Sequence, residues 1–160
     1  MTPSGSDPTF PFVADVAFQA GDIVFATDRF GCVVYWNGEA EAISGMPVRN
    51  LDDAERCAAK LLASGIQRVI ITLGANGSLL AGSEGMEHVP AFDVKSVDST
   101  GAGDAFIGSF ATFLGEGQPE REAVKRANLY AGLSTTGVGT QKSFYDRARF
   151  DGEWSARGKV

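Results

Sequence analysis

A chain of 160 residues, 44% hydrophobic and 21% charged, is long enough to bury one sizeable core, and a single compact domain is the default expectation. Its net charge of −6 argues against a broad nucleic-acid or anionic-membrane surface, so any phosphate site has to be built locally. Two cysteines, Cys32 and Cys57, without ligand-like spacing suit a reduced intracellular protein with no zinc site. No apolar run nears the roughly 20 residues that cross a bilayer, and residues 1–11 lack the basic start and hydrophobic centre of a signal peptide, so a cytoplasmic location is expected.

Residues 1–19 open on a stretch rich in Pro, Ser, Thr and Gly and predict a flexible arm. Residues 22–27 and 31–36 are β-branched and aromatic runs separated by a turn near Gly31, the pattern of a hairpin. Residues 38–44 suit a short helix ended by Gly45 and broken by Met46-Pro47. Asn50 then caps a helix with acids in its first turn and Leu51, Ala54, Cys57, Ala58, Leu61 and Leu62 on one face, closed by Gly65. Residues 68–74 form a nearly continuous apolar run, predicting a strand buried inside a parallel sheet and a βαβ unit. Residues 78–81, 88–89 and 91–97 read as shorter strands, with turns at Asn76-Gly77 and between Gly82 and Gly85. Phe106, Ile107, Phe110, Phe113 and Leu114 recur at helical spacing until Gly115-Glu116-Gly117. A further helix follows Pro119, with Ala123, Ala127, Tyr130, Ala131 and Leu133 inward, and a short one begins near Phe144. His88 reads as a surface histidine, Trp36 as a packing residue and Trp154 as a C-terminal surface residue.

The most informative stretch is Asp98-Ser99-Thr100-Gly101-Ala102-Gly103-Asp104-Ala105-Phe106. Small residues at Gly101, Ala102 and Gly103 let backbone N–H groups approach an anion at the start of a helix, whose dipole adds to the attraction. An acid at the edge of that cradle, Asp104, is placed to take a proton from an attacking alcohol. Local pattern alone leaves open a purely structural strand-to-helix turn capped by Asp98 or Ser99.

These residues resemble the second signature of the ribokinase (PfkB) carbohydrate kinases, D-T-x-G-A-G-D-x-F, with Ser99 in place of threonine. Upstream, Thr72-Leu73-Gly74-Ala75-Asn76-Gly77 is similar to the family's nucleotide-binding T-L-G-x-x-G. Downstream, Gly139-Thr140-Gln141-Lys142-Ser143 is similar to a loop that helps hold ATP and a monovalent cation. The resemblance covers about residues 46–150 and implies an α/β fold, a ribokinase-like Rossmann-type layered half-domain with an N-terminal β-hairpin, in which residues 46–152 form the nucleotide-binding domain and 153–160 a tail. It further implies an ATP-dependent sugar kinase using Mg2+ and K+. In that reading Asp104 is the base, Gly101, Ala102 and Gly103 form the anion hole, and Thr72, Gly74, Gly77 and Asn128 bind nucleotide. Asp98, Thr100, Gly139 and Ser143 would surround the monovalent cation. Complete family members are about twice as long and carry the sugar site and its lid in the preceding half, so a truncated kinase of reduced activity is expected, with a non-catalytic nucleotide-binding remnant or a chimeric scaffold as the alternative. The implied partners are a nucleotide and a small sugar, with no nucleic acid or membrane, and a homodimer is one way to restore closure over the site.

Residues 20–45 resemble instead the opening of a PAS sensor domain, in which D-x-x-G-x-I/V-x-x-W/Y-N-x-x-A-E-x-L-x-G spans two strands and a helix. In the kinase family the corresponding region holds an N-x-x-E motif. Glu39 stands where its magnesium-organising acid would fall, although Asn37 is one position out of register. A fusion of a PAS-like front to a kinase half, its hairpin covering an exposed sheet edge, is the favoured expectation, and a divergent kinase segment is the other.

Overall fold

In the computed structural model, which describes residues 48–139 and 141–158, Asn50 caps the first helix through its side chain, which accepts from the Asp53 N–H at 2.9 Å. Asp53 returns the contact by accepting from the Arg49 N–H at 3.1 Å. Helix α1 runs Leu51–Ala63 and buries Ala54, Cys57 and Ala58 completely. The chain then turns through Gly65 at a φ of +101° into β1, Arg68–Thr72. A 3-10 turn, Gly74–Asn76, leads to β2, Ser78–Gly82, and a tight turn at Gly85 leads to β3, Gly85–Val89. Three helices follow: α2, Ala102–Gly115; α3, Glu120–Ser134; and α4, Arg147–Arg157, with a 3-10 turn at Gln141–Ser143 before the last.

The sheet has the order β1-β2-β3 with both pairings antiparallel, Ile70 opposite Leu80 and Leu80 opposite Glu87. Alternation along β1 sends Val69 and Ile71 into one cluster with α1, together with Leu79 and Ala81. Ile70 points the other way, into a larger cluster with Val89, Phe106, Phe110, Phe113, Val124, Leu129 and Phe150. The result is α1, sheet, then α2 to α4, and Val69, Ile70 and Ile71 of β1 are all apolar because helices cover both its faces. The expected parallel pairing of β1 is corrected here: among the described residues its neighbour is antiparallel β2. Each of the three α2 phenylalanines is at most 3% exposed and contributes about 1.5–3 kcal/mol by burial.

Residues 91–97 form no strand among the described residues, contrary to expectation. The β2–β3 ladder ends at Ser78 opposite Val89, Pro90 offers no N–H, and the Val97 N–H goes to the carbonyl of Thr135 beyond α3 at 2.7 Å. Helix α4 starts at an Asp146 cap, which accepts from the Arg149 N–H at 2.9 Å, and continues across residue 152 to Arg157. Trp154 is a packing residue, not a surface one: it meets Phe92 and Phe150 and lies under Arg126. The N-terminal arm, the PAS-like hairpin with Trp36 and Cys32, and Glu39 lie outside the described residues.

Candidate active site

The turn into α2 is shaped by Gly101, which sits at φ +80° and ψ +5°, a conformation open to glycine. No side chain caps the helix that follows. The Ala102 N–H is taken by the Ser99 carbonyl at 3.1 Å and the Ala105 N–H by that of Gly101 at 2.9 Å. Gly103 and Asp104 have no such acceptor among the described residues, so their N–H groups remain available at the positive end of the helix.

Facing this turn is the 3-10 turn after β1. The Leu73 N–H donates to the Gly77 carbonyl at 2.7 Å and the Gly77 N–H to that of Gly74 at 3.1 Å, closing the loop on itself. His88 adds an outside tether, its Nε2 lying 2.6 Å from the Asn76 carbonyl, which assigns the exposed histidine a structural contact. Between loop and helix lies a cleft of about 520 Å³ that brings together Thr72, Gly74, Gly77, Ala102, Gly103 and Asn128. Its outer wall includes Phe92, Asp93 and Val94, and Ala131, Gly132 and Thr135 line it as well. These last six carried no local sequence signal, since the wall imitates a strand and the others look like ordinary helix positions.

Asn128 lines the cleft but its amide is engaged. Nδ2 donates to the Val89 carbonyl at 3.0 Å, with the Pro90 carbonyl at 3.4 Å, and Oδ1 lies 3.1 Å from the Ser78 hydroxyl. Asp104, in the first turn of α2, is exposed, and it borders a separate apolar hollow of about 290 Å³ with Phe113, Tyr130 and Phe144. Asp104 and Gly103 thus occupy one helical turn but line two different recesses.

Asp98, Thr100, Gly139 and Ser143 come together as a second group. The Thr100 N–H donates to Asp98 Oδ1 at 3.0 Å and the Gly139 N–H to Oδ2 at 3.1 Å, while the Ser143 hydroxyl donates to the Gly139 carbonyl at 2.7 Å. Bonds from the Thr100 side chain and amide, then from Gly139, hold the Asp98 carboxyl below its usual value. One carboxylate with surrounding carbonyl and hydroxyl oxygens is a hard donor set of low charge, better matched to a monovalent than a divalent cation. No cluster of three or more His, Cys, Asp or Glu exists among the described residues.

The pfkB family carbohydrate kinase model matches residues 37–147, a span that holds both loops, the cradle and Asp104. The chain belongs to the pfkB family. The match begins within the PAS-like segment and includes Glu39. A deoxyribokinase of Salmonella typhi is 41% identical over 113 residues, covering 71% of this chain and 37% of the relative. Among solved pfkB relatives, the ribokinase of Thermotoga maritima superposes with a TM-score of 0.66 at 36% identity, over 74% of this chain and 40% of that one. The Arabidopsis thaliana ribokinase complexed with ribose and ATP gives a TM-score of 0.66 at 28% identity, over 72% and 38%. The chain spans about two fifths of the length of these relatives. The ribokinase-like α/β fold is therefore established, and among the described residues no helix is long and apolar enough to cross a membrane.

Proposed function

We propose that this chain carries the nucleotide-binding and phosphoryl-transfer part of an ATP-dependent sugar kinase, moving the terminal phosphoryl group of Mg-ATP to a sugar hydroxyl. The observation that carries the reading is the uncapped start of α2, where Gly103, with its available N–H, lines the same cleft as the Thr72, Gly74 and Gly77 loop and the free Asp104 N–H follows it on the same helical turn. Those N–H groups offset negative charge at the phosphates, and they are already oriented, so little reorganisation is needed as charge shifts in the transition state. Asp104 accepts the proton of the attacking hydroxyl. Magnesium bound with the nucleotide supplies charge neutralisation across its phosphates, and Glu39 is the acid the family resemblance implies for it. Potassium would be held by Asp98, Thr100, Gly139 and Ser143, where it would tie the residue 98–101 turn to the loop after α3. With its amide committed to Ser78, Val89 and Pro90, Asn128 serves the nucleotide by fixing the cleft floor.

The test is calorimetry with Mg-ATP on the chain and on Asp104→Asn, beside a coupled kinase assay starting with ribose and deoxyribose. The expected result is similar nucleotide affinity for both proteins and turnover reduced about 10²–10⁴-fold in the variant. Absence of Mg-ATP binding would overturn the reading, and turnover unchanged in Asp104→Asn would remove Asp104 as the base.

A further inference from the structure

The cleft wall at residues 91–96 has no partner strand among the described residues, so its position depends on side chains. One support is α3, where Val94 lies so close to Gly132 that a Cβ there would come within 3.3 Å of it. Two further contacts come from α4, which contributes nothing to the cleft itself. Trp154 meets the Phe92 ring edge-on, with centroids 6.0 Å apart and planes at 65°. Arg157, three residues on and so on the same helix face, donates from Nη1 to the Asp93 carbonyl at 3.0 Å. Both are themselves held. Trp154 stacks on buried Phe150 at 6.3 Å and carries the Arg126 guanidinium 4.5 Å above its ring, while Arg157 Nε pairs with Glu153 at 2.7 Å.

We propose that Trp154 and Arg157 are positioning residues for nucleotide, bracing the Phe92 and Asp93 wall of the cleft against the helical core; this rests on reading the cleft as the ATP site. Phe92 and Asp93 line the cleft, so loosening the brace widens the site and weakens nucleotide binding while leaving Asp104 untouched. Because Trp154 acts through the Phe92 ring, its effect disappears when that ring is gone.

Calorimetry with Mg-ATP on the full chain tests this, each variant being checked for folding by chemical denaturation. Arg157→Ala and Trp154→Leu are each expected to weaken binding about five- to tenfold, the scale of one net hydrogen bond or ring contact. Arg157→Lys and Trp154→Phe should recover most of the loss, and Phe92→Leu combined with Trp154→Leu should bind no more weakly than Phe92→Leu alone. In a Trp36→Phe background, Mg-ATP should change Trp154 emission, and Phe92→Leu should abolish that change. Should Trp154→Leu not fold, Arg157→Ala carries the test, since its side chain is 41% exposed and its loss leaves no buried gap. Unchanged affinity in folded Arg157→Ala, or fully additive losses in the double variant, would overturn the proposal and leave the ATP reading standing. A wild-type chain that does not bind Mg-ATP would overturn the ATP reading and the brace together.

Discussion

Replacing Gly77 by alanine is expected to be far more damaging than the same change at Gly74, three residues earlier in the same loop. Gly77 adopts φ +89° and ψ −131°, a region nearly closed to other residues, and is buried. A Cβ there would press on the Val89 carbonyl oxygen and come within 2.5 Å of the Ala91 nitrogen and 2.6 Å of the Pro90 carbonyl carbon. All three are backbone atoms where the hairpin leaves for the cleft wall, so no side chain can swing aside. Backbone strain of about 1–3 kcal/mol and overpacking of a further 1–3 kcal/mol give a destabilisation of about 2–6 kcal/mol. Gly74, at φ +56° with no atom within 4 Å of the place a Cβ would take, should lose only about 1 kcal/mol from its backbone conformation. At about 4 °C per kcal/mol, Gly77→Ala should lower Tm by more than about 8 °C and Gly74→Ala by about 4 °C in thermal melts followed by circular dichroism. Equal shifts for the two variants would refute the steric argument, because the backbone component alone would then account for both.

Asn128→Ala should cost about 2–4 kcal/mol, since it strands the buried Ser78 hydroxyl and the Val89 and Pro90 carbonyls; a midpoint in urea denaturation that moves with unchanged slope would establish it. The Asp98 carboxyl has a folded pKa below the ordinary 3.8, so its stabilising contribution is complete above 3.8 and is lost as pH falls through the lower folded value. The stability difference between the chain and Asp98→Asn should therefore be steady from pH 7 to pH 5 and shrink below pH 4, as read by denaturation across that range. Phe110→Ala, emptying a position 3% exposed between α2 and the core, should cost about 3–5 kcal/mol, measured in the same way.

Features written in a single segment were legible in the sequence. The α1 cap at Asn50 and its buried face, the α2 phenylalanines, the turns at Gly77 and Gly85 and the glycine turn before α2 all depend on residues within one or two turns of each other. Two-sided burial of β1 was legible too, but its pairing direction was not, because an apolar run reports covered faces and carries no information about the neighbouring strand. Residues 91–97 have the composition of a strand, and only the end of the β2–β3 ladder at a proline shows why none forms. The packing of Trp154 was hidden because its contacts at Phe92, Arg126 and Phe150 come largely from distant parts of the chain. The same distance hid the commitment of the Asn128 amide to Val89 and Pro90. For the site, the loops could be found from glycine spacing, whereas the wall that closes the cleft could not.

The helix that begins at Ala102 leaves two of its first-turn amides, those of Gly103 and Asp104, without an internal acceptor, which makes its stability conditional. An anion seated there completes the hydrogen bonding, so ligand and helix reinforce one another: at a hundred times its Kd, a bound nucleotide would add about 2.7 kcal/mol to the fold, and exchange of those amides with solvent should slow accordingly. The same relation sets a limit on improving the protein. A serine or aspartate engineered to satisfy the Gly103 and Asp104 N–H groups from within would stiffen the free chain while occupying the place proposed for the phosphate. On the proposed reading, gains in stability at this turn and gains in nucleotide affinity are therefore opposed, and selection for robustness alone would erase the site.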